Sequence, residues 1–178
     1  MSIIHHQFES IHPFYDGNGR TGRIINILYL VQKNLLHLPV LYLSQYIIRH
    51  KSDYYRLLQE VRDKGKWEEW ILFMLEGIER TAASSVTLIA SIKELMQQYK
   101  QIIRNNHPKL YSQDLLNNLF KYPYTKIEFL QKDLQISRST AIRHLDVLVN
   151  AGLLTKHKVG RDNFFMNAKL FGLLAGNG

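Results

Sequence analysis

The residues with the clearest chemistry lie in one short stretch, HPFYDGNGRTGR, at positions 12–23. His12 stands at its entrance, and an imidazole that titrates near neutrality is the natural general base. Asp16 brings a carboxylate, a hard oxygen ligand of the kind that Mg²⁺ takes when the ion also touches phosphate. A base and a magnesium ligand this close together predict chemistry on a phosphorylated substrate.

Glycines and arginines of the same stretch suit the binding of an anion. Gly17 and Gly19 lack a Cβ, so the backbone N–H groups around them can converge on a phosphate. An apolar pattern of helical spacing begins directly afterwards, which places the positive end of a helix at the same point. Arg20 and Arg23 lie on one face of its first turns and carry planar donor forks that match phosphate oxygens. The stretch therefore predicts a phosphate-binding loop at a helix N-terminus.

Two other interpretations apply to the glycines. Gly17, Gly19 and Gly22 also spell the G-x-G-x-x-G of dinucleotide-binding proteins, which requires a preceding strand and an acidic residue about 20 positions later. The preceding SIHPFYD is not an apolar strand, and no Asp or Glu occurs between Asp16 and Asp53. A plain glycine-rich turn that caps a helix explains the glycines but not the histidine, the aspartate and both arginines.

The stretch resembles the Fic motif, H-x-F-x-[DE]-G-N-G-R-x-x-R, with every fixed position filled. Fic proteins mostly transfer AMP from ATP to a hydroxyl side chain of a target protein. The resemblance implies that His12 deprotonates a Ser, Thr or Tyr hydroxyl of the target, that Asp16 binds Mg²⁺ and that Phe14 anchors the loop in the core. It also implies nucleotide binding by a cradle for the α- and β-phosphates and by two arginines for the outer phosphates: Gly17, Asn18, Gly19, Arg20 and Arg23.

The flanks FESI and WEEWILFMLEGI extend the resemblance to about residue 105. Relatives that act as kinases tend to have Lys at the position of Gly19, so this glycine favours AMP transfer. Fic domains carry several helices and a hairpin flap before the motif, and the flap holds the target segment. Almost none of that precedes residue 12 here, so the chain is expected to be the C-terminal part of a longer protein and poorly active on protein targets.

Many Fic proteins are restrained by a helix bearing [ST]-x-x-x-E-[GN], whose Glu pairs with the second motif arginine, here Arg23. Glu76-Gly77 is the only Glu-Gly or Glu-Asn pair in the chain, and Leu72 replaces the required Ser or Thr. Any such restraint is therefore expected upstream of this sequence or in another protein.

Periodicity predicts four helices in residues 1–108: at 2–11, at about 20–36, from an N-cap at Ser44 to about 63, and from 67 to the stop at His107-Pro108. A bend in the last one is expected near Gly77 or residues 82–85. His5 and His6 suggest a metal site, but no third ligand is suitably spaced. Histidines at the surface or at the edge of the core are the alternative.

Composition limits the remaining classes of protein. The chain has 178 residues, of which 46% are hydrophobic, enough for a packed core in one large or two small domains. The absence of cysteine excludes disulfides and thiolate metal sites. MSIIHHQF is not a signal peptide, and no apolar run approaches the length of a membrane helix, about 18 residues. A cytoplasmic protein without membrane contact is expected.

Residues 109–178 have a different character and predict a second domain after residues 1–108. They carry ten basic and five acidic side chains, hence +5, against +3 for residues 1–108 with thirteen and ten. Three apolar helical patterns, with Thr125 and Ser137 as caps of the second and third, precede two short strands joined by Gly160-Arg161-Asp162. Gly152 is expected to end the third helix. This order resembles the winged helix-turn-helix domains appended to many Fic proteins.

The predicted fold class is therefore mainly α: an N-terminally truncated Fic-type helical bundle followed by a small α+β winged-helix domain. The third helix would bury Ala141, Ile142, Leu145, Leu148 and Val149. It would present Arg138, Ser139, Thr140, Arg143 and His144 to a DNA major groove, with Arg161 of the wing on the phosphate backbone. Use of the winged helix for protein contact or homodimerisation is the alternative.

Two functions of different class follow. One is a protein adenylyltransferase that uses ATP and Mg²⁺, with the winged helix placing the enzyme on DNA or protein. The other is a nucleotide-sensing, DNA-binding transcriptional regulator whose Fic part is weakly active or inactive. The intact His12 weighs against the second, because sensing a nucleotide requires no base. A purely structural fragment is a third interpretation.

Overall fold

A computed structural model describes residues 1–176. These residues form two compact units, one at Met1–Thr87 and one from Leu88 onward. The described part of the chain contains nine α-helices and one three-stranded sheet. The predicted fold class, mainly α with a small α+β part, is confirmed. The two units separate earlier in the chain than residues 108 and 109, and the domain boundary drawn there stays a prediction.

The first unit is helical. Its elements are α1 (Ser2–Ile11), α2 (Asn18–Gln32), α3 (Ser44–Arg49), α4 (Lys51–Lys64) and the first part of α5 (Trp67–Asn106). Trp70 is completely buried at its centre, and its indole N–H donates to the carbonyl of Ser2 over 3.0 Å. This bond and the aromatic contacts of Trp70 fix α1 against α5, so the segment before residue 12 has one defined position.

His5 and His6 belong to this core. Their side chains are 0% and 5% exposed, and both rings lie against Trp70. His5 bonds to the hydroxyl of Tyr54 at 2.8 Å, and His6 to the carbonyl of Leu58 at 3.2 Å. No group of three or more potential metal ligands forms among residues 1–176. The two histidines are thus core residues, more deeply buried than the surface or core-edge position of the alternative interpretation.

Three helix boundaries differ from those predicted. α2 ends at Gln32, not near residue 36. Ser44 is not a cap, because its side chain makes no capping bond and Leu43 occupies the N-cap position. The expected single helix over 44–63 is divided at His50, whose φ of −117° and ψ of 38° are not helical. At this point the carbonyl of Tyr46 is bonded both to the imidazole of His50, at 2.9 Å, and to its backbone N–H, at 3.1 Å.

α5 is one continuous helix of 40 residues, and a bend near Gly77 or residues 82–85 stays a prediction. A Cβ on Gly77 would stand 2.6 Å from the ring of Tyr46. The close approach of an aromatic side chain therefore explains the glycine.

The second unit adds four helices and three strands to the end of α5. They are α6 (Gln113–Lys121), β1 (Tyr124–Thr125), α7 (Ile127–Leu134), α8 (Arg138–Asn150), β2 (Thr155–Val159), β3 (Asp162–Met166) and α9 (Ala168–Leu174). The strands are antiparallel in the order β1-β3-β2. The predicted order of three helices and a hairpin is present, and the pairing of Val159 with Asp162 leaves a two-residue turn between β2 and β3. β1 and α9 were not predicted.

Two of the three predicted helix ends of the second unit are present, and one is not. The hydroxyl of Ser137 accepts from the N–H of Thr140 at 3.2 Å and caps α8, as expected. Gly152, with a φ of 69°, follows its last turn, as expected. Thr125 is not a cap: it pairs with Phe165 in the sheet, and its buried hydroxyl donates to Asn118. Its hydroxyl and its backbone are therefore used by a tertiary hydrogen bond and by strand pairing, not by a helix cap.

The core of this unit contains three of the residues predicted for the buried face of α8: Ala141, Leu145 and Leu148. Ile142 is 37% exposed and lies outside it. Tyr99 links the elements, because its hydroxyl bonds to the carbonyl of Leu153 at 2.7 Å and to Asn167 at 2.9 Å. In the part of the chain that the structure describes, no helix has the length and apolarity needed to cross a membrane.

Candidate nucleotide-binding site

The loop of residues 12–17 joins two packed helices, and its ends have backbone conformations that suit sharp turns. α1 ends where His12 takes the left-handed conformation, with a φ of 50°, and its N–H still bonds to the carbonyl of Phe8 at 3.0 Å. Gly17 has a φ of 86° and forms the N-cap of α2. The histidine is therefore held at a helix end, with its side chain exposed.

Asn18 stabilises the loop and is buried, with an exposed fraction of 2%. Its side-chain oxygen accepts from the N–H of Phe14 at 2.9 Å, and its amide nitrogen donates to the carbonyl of the same residue. Both polar atoms of the side chain are thus bonded to the loop backbone. Only the backbone N–H of Asn18, at the start of α2, is available to an anion.

The start of α2 presents the N–H groups that a phosphate would use. No side chain caps this end. The amides of Asn18, Gly19 and Arg20 precede the first intrahelical bond, in which the N–H of Thr21 donates to the carbonyl of Gly17. Unpaired amides at the positive end of a 15-residue helix form an anion-binding position.

Asp16 and Arg20 lie at the exposed rim of the loop and pair with each other. Their Oδ2 and Nη2 atoms are 3.0 Å apart, and the two side chains are 91% and 72% exposed. The other carboxylate oxygen of Asp16 accepts from the N–H of Gly17 at 2.7 Å. An exposed pair of this kind is weak and can open for a ligand.

Arg23 lies on the inner side of the same helix. A Cβ built on Gly19 would stand 3.1 Å from its Nη1 atom, so the glycine leaves room for the guanidinium. The Nε of Arg23 is buried without a hydrogen-bond partner among the described residues, and so is the Oε1 of Glu9. Burial raises the pKa of the Glu9 carboxyl, while His12, Arg23 and Arg62 oppose the rise.

Gly22 has a packing role. A Cβ there would lie 2.6 Å from Oε1 of Glu9 and 3.1 Å from the ring of His5. α1, rather than a strand, precedes the glycines, so the dinucleotide-binding interpretation lacks the strand it requires.

A cavity of about 450 Å³ brings part of the predicted site together. Three of its lining residues come from the motif: His12, Gly19 and Arg23. The opposite wall comes from α3 and α4: Ile47, Ile48, Lys51, Tyr54, Tyr55, Leu58 and Arg62. A general base, a helix N-terminus and a cation thus face one space with a largely apolar far side. Asp16 and Arg20 are outside this lining.

Phe14 and Arg62 have positions in the site that the sequence does not predict. Phe14 is 50% exposed, so the expected anchoring in the core is wrong; its ring meets that of Phe8, with centroids 6.2 Å apart. Arg62 of α4 donates to the carbonyl of Glu9 at 3.3 Å and to the hydroxyl of Ser10 at 3.2 Å. No sequence signal identifies this arginine, because its partners are about fifty positions away.

In the second unit, the residues predicted to contact DNA are only partly displayed together. Arg138 pairs with Glu128 at 3.4 Å. Arg143, five positions later, is exposed and lies about 140° away around α8, at about 100° per residue. The hydroxyls of Ser139 and Thr140 bond to that of Ser137 at 3.0 and 2.9 Å. Arg161 is exposed in the turn of the hairpin.

Comparison with family models gives the class of protein. Residues 1–30 match the Fic/DOC family, and residues 95–170 match the C-terminal domain of SoFic-like protein adenylyltransferases. The first match contains the motif and the second contains α6 to β3. The resemblance read from residues 12–23 is therefore confirmed: the segment that carries the motif matches the Fic/DOC family.

Relatives extend this result. A probable protein adenylyltransferase of Aquifex aeolicus is 28% identical over 155 residues, which cover 85% of this chain and 42% of the relative. The protein adenylyltransferases Fic of Aedes aegypti and Culex quinquefasciatus are each 36% identical over 80 residues, 45% of this chain and 15% of theirs. The chain thus spans less than half the length of these relatives.

Proposed function

We propose that the first unit binds ATP and transfers AMP to a hydroxyl group of a target protein. The observation that carries this proposal is the cavity that His12, Gly19 and Arg23 line together. Its volume of about 450 Å³ lies in the usual range for small-molecule sites, about 300–1,000 Å³. The names of the relatives support the same activity for the family.

The geometry supports one orientation of a nucleotide in the cavity. The phosphates would meet the open amides at the start of α2 and the guanidinium of Arg23. The nucleoside would lie against the apolar wall, where Ile47 and Tyr55 offer a surface for a ring. Arg20 would leave Asp16 to meet the outer phosphates.

The transfer then needs one proton movement and one displacement at phosphorus. His12 takes the proton of the target hydroxyl as its oxygen attacks the α-phosphorus. A bond from that oxygen to phosphorus forms, the bond from phosphorus to the β-phosphate oxygen breaks, and pyrophosphate leaves. The open amides of α2 would stabilise the charge that develops on the phosphoryl oxygens.

The residues present can bind Mg²⁺ only together with the phosphates of the nucleotide. Among residues 1–176, no three His, Asp or Glu side chains gather into a metal cage. One carboxylate, that of Asp16, stands beside the helix N-terminus, and Mg²⁺ in nucleotide sites is often held by one or two carboxylates with phosphate and water. When bound, the ion would neutralise phosphate charge.

ATP binding by the Arg20→Ala variant should test the phosphate assignment. We expect a loss of about 1–3 kcal/mol in binding free energy, the scale of a charge-assisted hydrogen bond. Calorimetry on the whole chain with MgATP measures it. Arg49→Ala, an exposed arginine of α3, is the matched control and should bind as the wild type does. Equal affinity of all three proteins would remove Arg20 from the site.

We also propose that the second unit contacts the phosphate backbone of DNA. The supporting observation is that Arg143 of α8 and Arg161 of the hairpin turn are both exposed, in a part of the chain with a net charge of +5 over residues 109–178. Arg138 stays a candidate, because its pair with Glu128 is exposed and therefore weak. Protein contact and homodimerisation are the competing uses of this surface.

Duplex binding should weaken steeply as salt rises, because phosphate neutralisation releases counterions. Arg161→Ala should weaken binding to all sequences alike, since a contact to the backbone carries no base information. Fluorescence anisotropy of the whole chain with random and genomic duplexes at two salt concentrations measures both effects. Arg49→Ala serves again as the control. Absence of binding at low salt would favour the protein-contact interpretation.

A further inference from the structure

A second cavity lies within the second unit, beside α8. Its volume is about 510 Å³, and it is formed by the turn that follows α5 and by one side of α8. The turn is closed by a bond from the N–H of Leu110 to the carbonyl of His107 at 2.9 Å. Two separate elements therefore define this space, which is independent of the motif in the first unit.

The lining of this cavity is basic on its polar side. Lys109 and His107 come from the turn, and Arg143 and His144 come from α8. None of the described side chains that line it is acidic. Neither Lys109 nor Arg143 forms an ion pair with any residue in the range 1–176. Two unpaired cations at one cavity raise the local potential for an anion.

His144 adds a buried polar atom that lacks a partner. Its Nδ1 is shielded from solvent and makes no hydrogen bond to the described residues. Burial, and secondarily Arg143, lower the pKa of His144, so the ring is neutral near pH 7. The ring therefore contributes an uncharged polar surface to the lining, and the positive charge comes from Lys109 and Arg143.

We propose that this cavity binds the phosphate monoester group of a small organic ligand. An ammonium from one element and a guanidinium fork from another suit the three terminal oxygens of a dianionic phosphate better than the two of a carboxylate. The apolar part of the lining, Leu110 and Val147, leaves room for an organic group beside the phosphate. The concave shape distinguishes the site from a surface that only follows a DNA backbone.

Titration of the whole ¹⁵N-labelled chain with AMP, followed residue by residue by NMR, tests the proposal. The amides of residues 107–110 and 143–147 should shift with saturation, and adenosine, which lacks the phosphate, should leave them unmoved. Signals from residues 12–23 report the proposed ATP site separately, so failure at one site does not affect the conclusion at the other. Lys109→Gln should weaken binding at this cavity about tenfold, the effect of losing one charge-assisted contact.

Lys132→Gln provides the matched control, because Lys132 is exposed on α7 and outside the cavity lining. It should leave the affinity unchanged. The proposal is overturned if AMP causes no saturable shift at these amides, if adenosine shifts them equally, or if both lysine variants weaken binding alike. A duplex without terminal phosphates that shifts them where AMP does not would also overturn it, by assigning the surface to phosphodiesters.

Discussion

Replacement of His12 by Ala should abolish AMP transfer while leaving ATP binding intact. Loss of a general base typically lowers a rate by about 10²–10⁴-fold. The dissociation constant for MgATP should stay within about twofold, because the imidazole acts only as the hydroxyl attacks and contributes to the transition state alone. Transfer is measured as self-labelling of the chain by labelled ATP, and binding is measured by calorimetry.

His37→Ala is the matched control, since His37 is an exposed histidine of the connector between α2 and α3. It should keep both transfer and binding. Retained transfer by His12→Ala would overturn the role of the base. A wild-type chain that binds ATP at this site but does not label itself would instead favour the nucleotide-sensing regulator.

Acid should destabilise the first unit through His5, by about 2–3 kcal/mol between pH 7 and about pH 4.5. The side chain is completely buried, and burial is the main cause that lowers its pKa from 6.5 to about 4. The amide nitrogen of Asn26 donates to Nδ1 at 3.1 Å, so the proton of the neutral ring is on Nε2, which bonds to Tyr54. A second proton at Nδ1 would break the bond to Asn26.

The lowered pKa of His5 explains why acid destabilises the fold rather than stabilising it. The unfolded chain binds a proton at His5 below about pH 6.5, whereas the folded chain resists it down to about pH 4. The stabilising contribution is thus fully present above pH 6.5 and is lost as the pH falls towards 4. His6, whose pKa is also lowered by burial, acts in the same direction. Glu9, whose pKa is raised by burial, acts in the opposite direction.

Urea unfolding monitored by tryptophan fluorescence measures this effect where it arises, because both tryptophans, Trp67 and Trp70, lie in the first unit. His5→Gln should lower the free energy of unfolding at pH 7 and flatten its dependence on pH. His37→Gln, the same substitution at an exposed site, should keep the wild-type dependence. If His5→Gln and the wild type lose equal stability between the two pH values, the buried histidine is not the cause.

Local sequence determined the motif, most helices and the hairpin. A left-handed Gly17, the cap at Ser137 and the glycine after α8 depend on neighbours within a few positions, so residue type and spacing suffice to predict them. The order of elements in residues 109–178 followed from the same local signals, except for the two short elements β1 and α9, which form against the rest of the unit. The Fic motif was readable for the same reason: its fixed positions are contiguous.

Contacts between distant positions were decided only by the tertiary structure. The wall of the first cavity is formed by α3 and α4, more than twenty positions after the motif, and the contact of Arg62 with Glu9 spans about fifty. Gly77 is required by the ring of Tyr46, and Thr125 is drawn from a cap into the sheet by Phe165 and Asn118. Periodicity shows which face of a helix is apolar, but not which element covers it. Packing selects that partner from the whole chain, and the lining of both cavities follows from the selection.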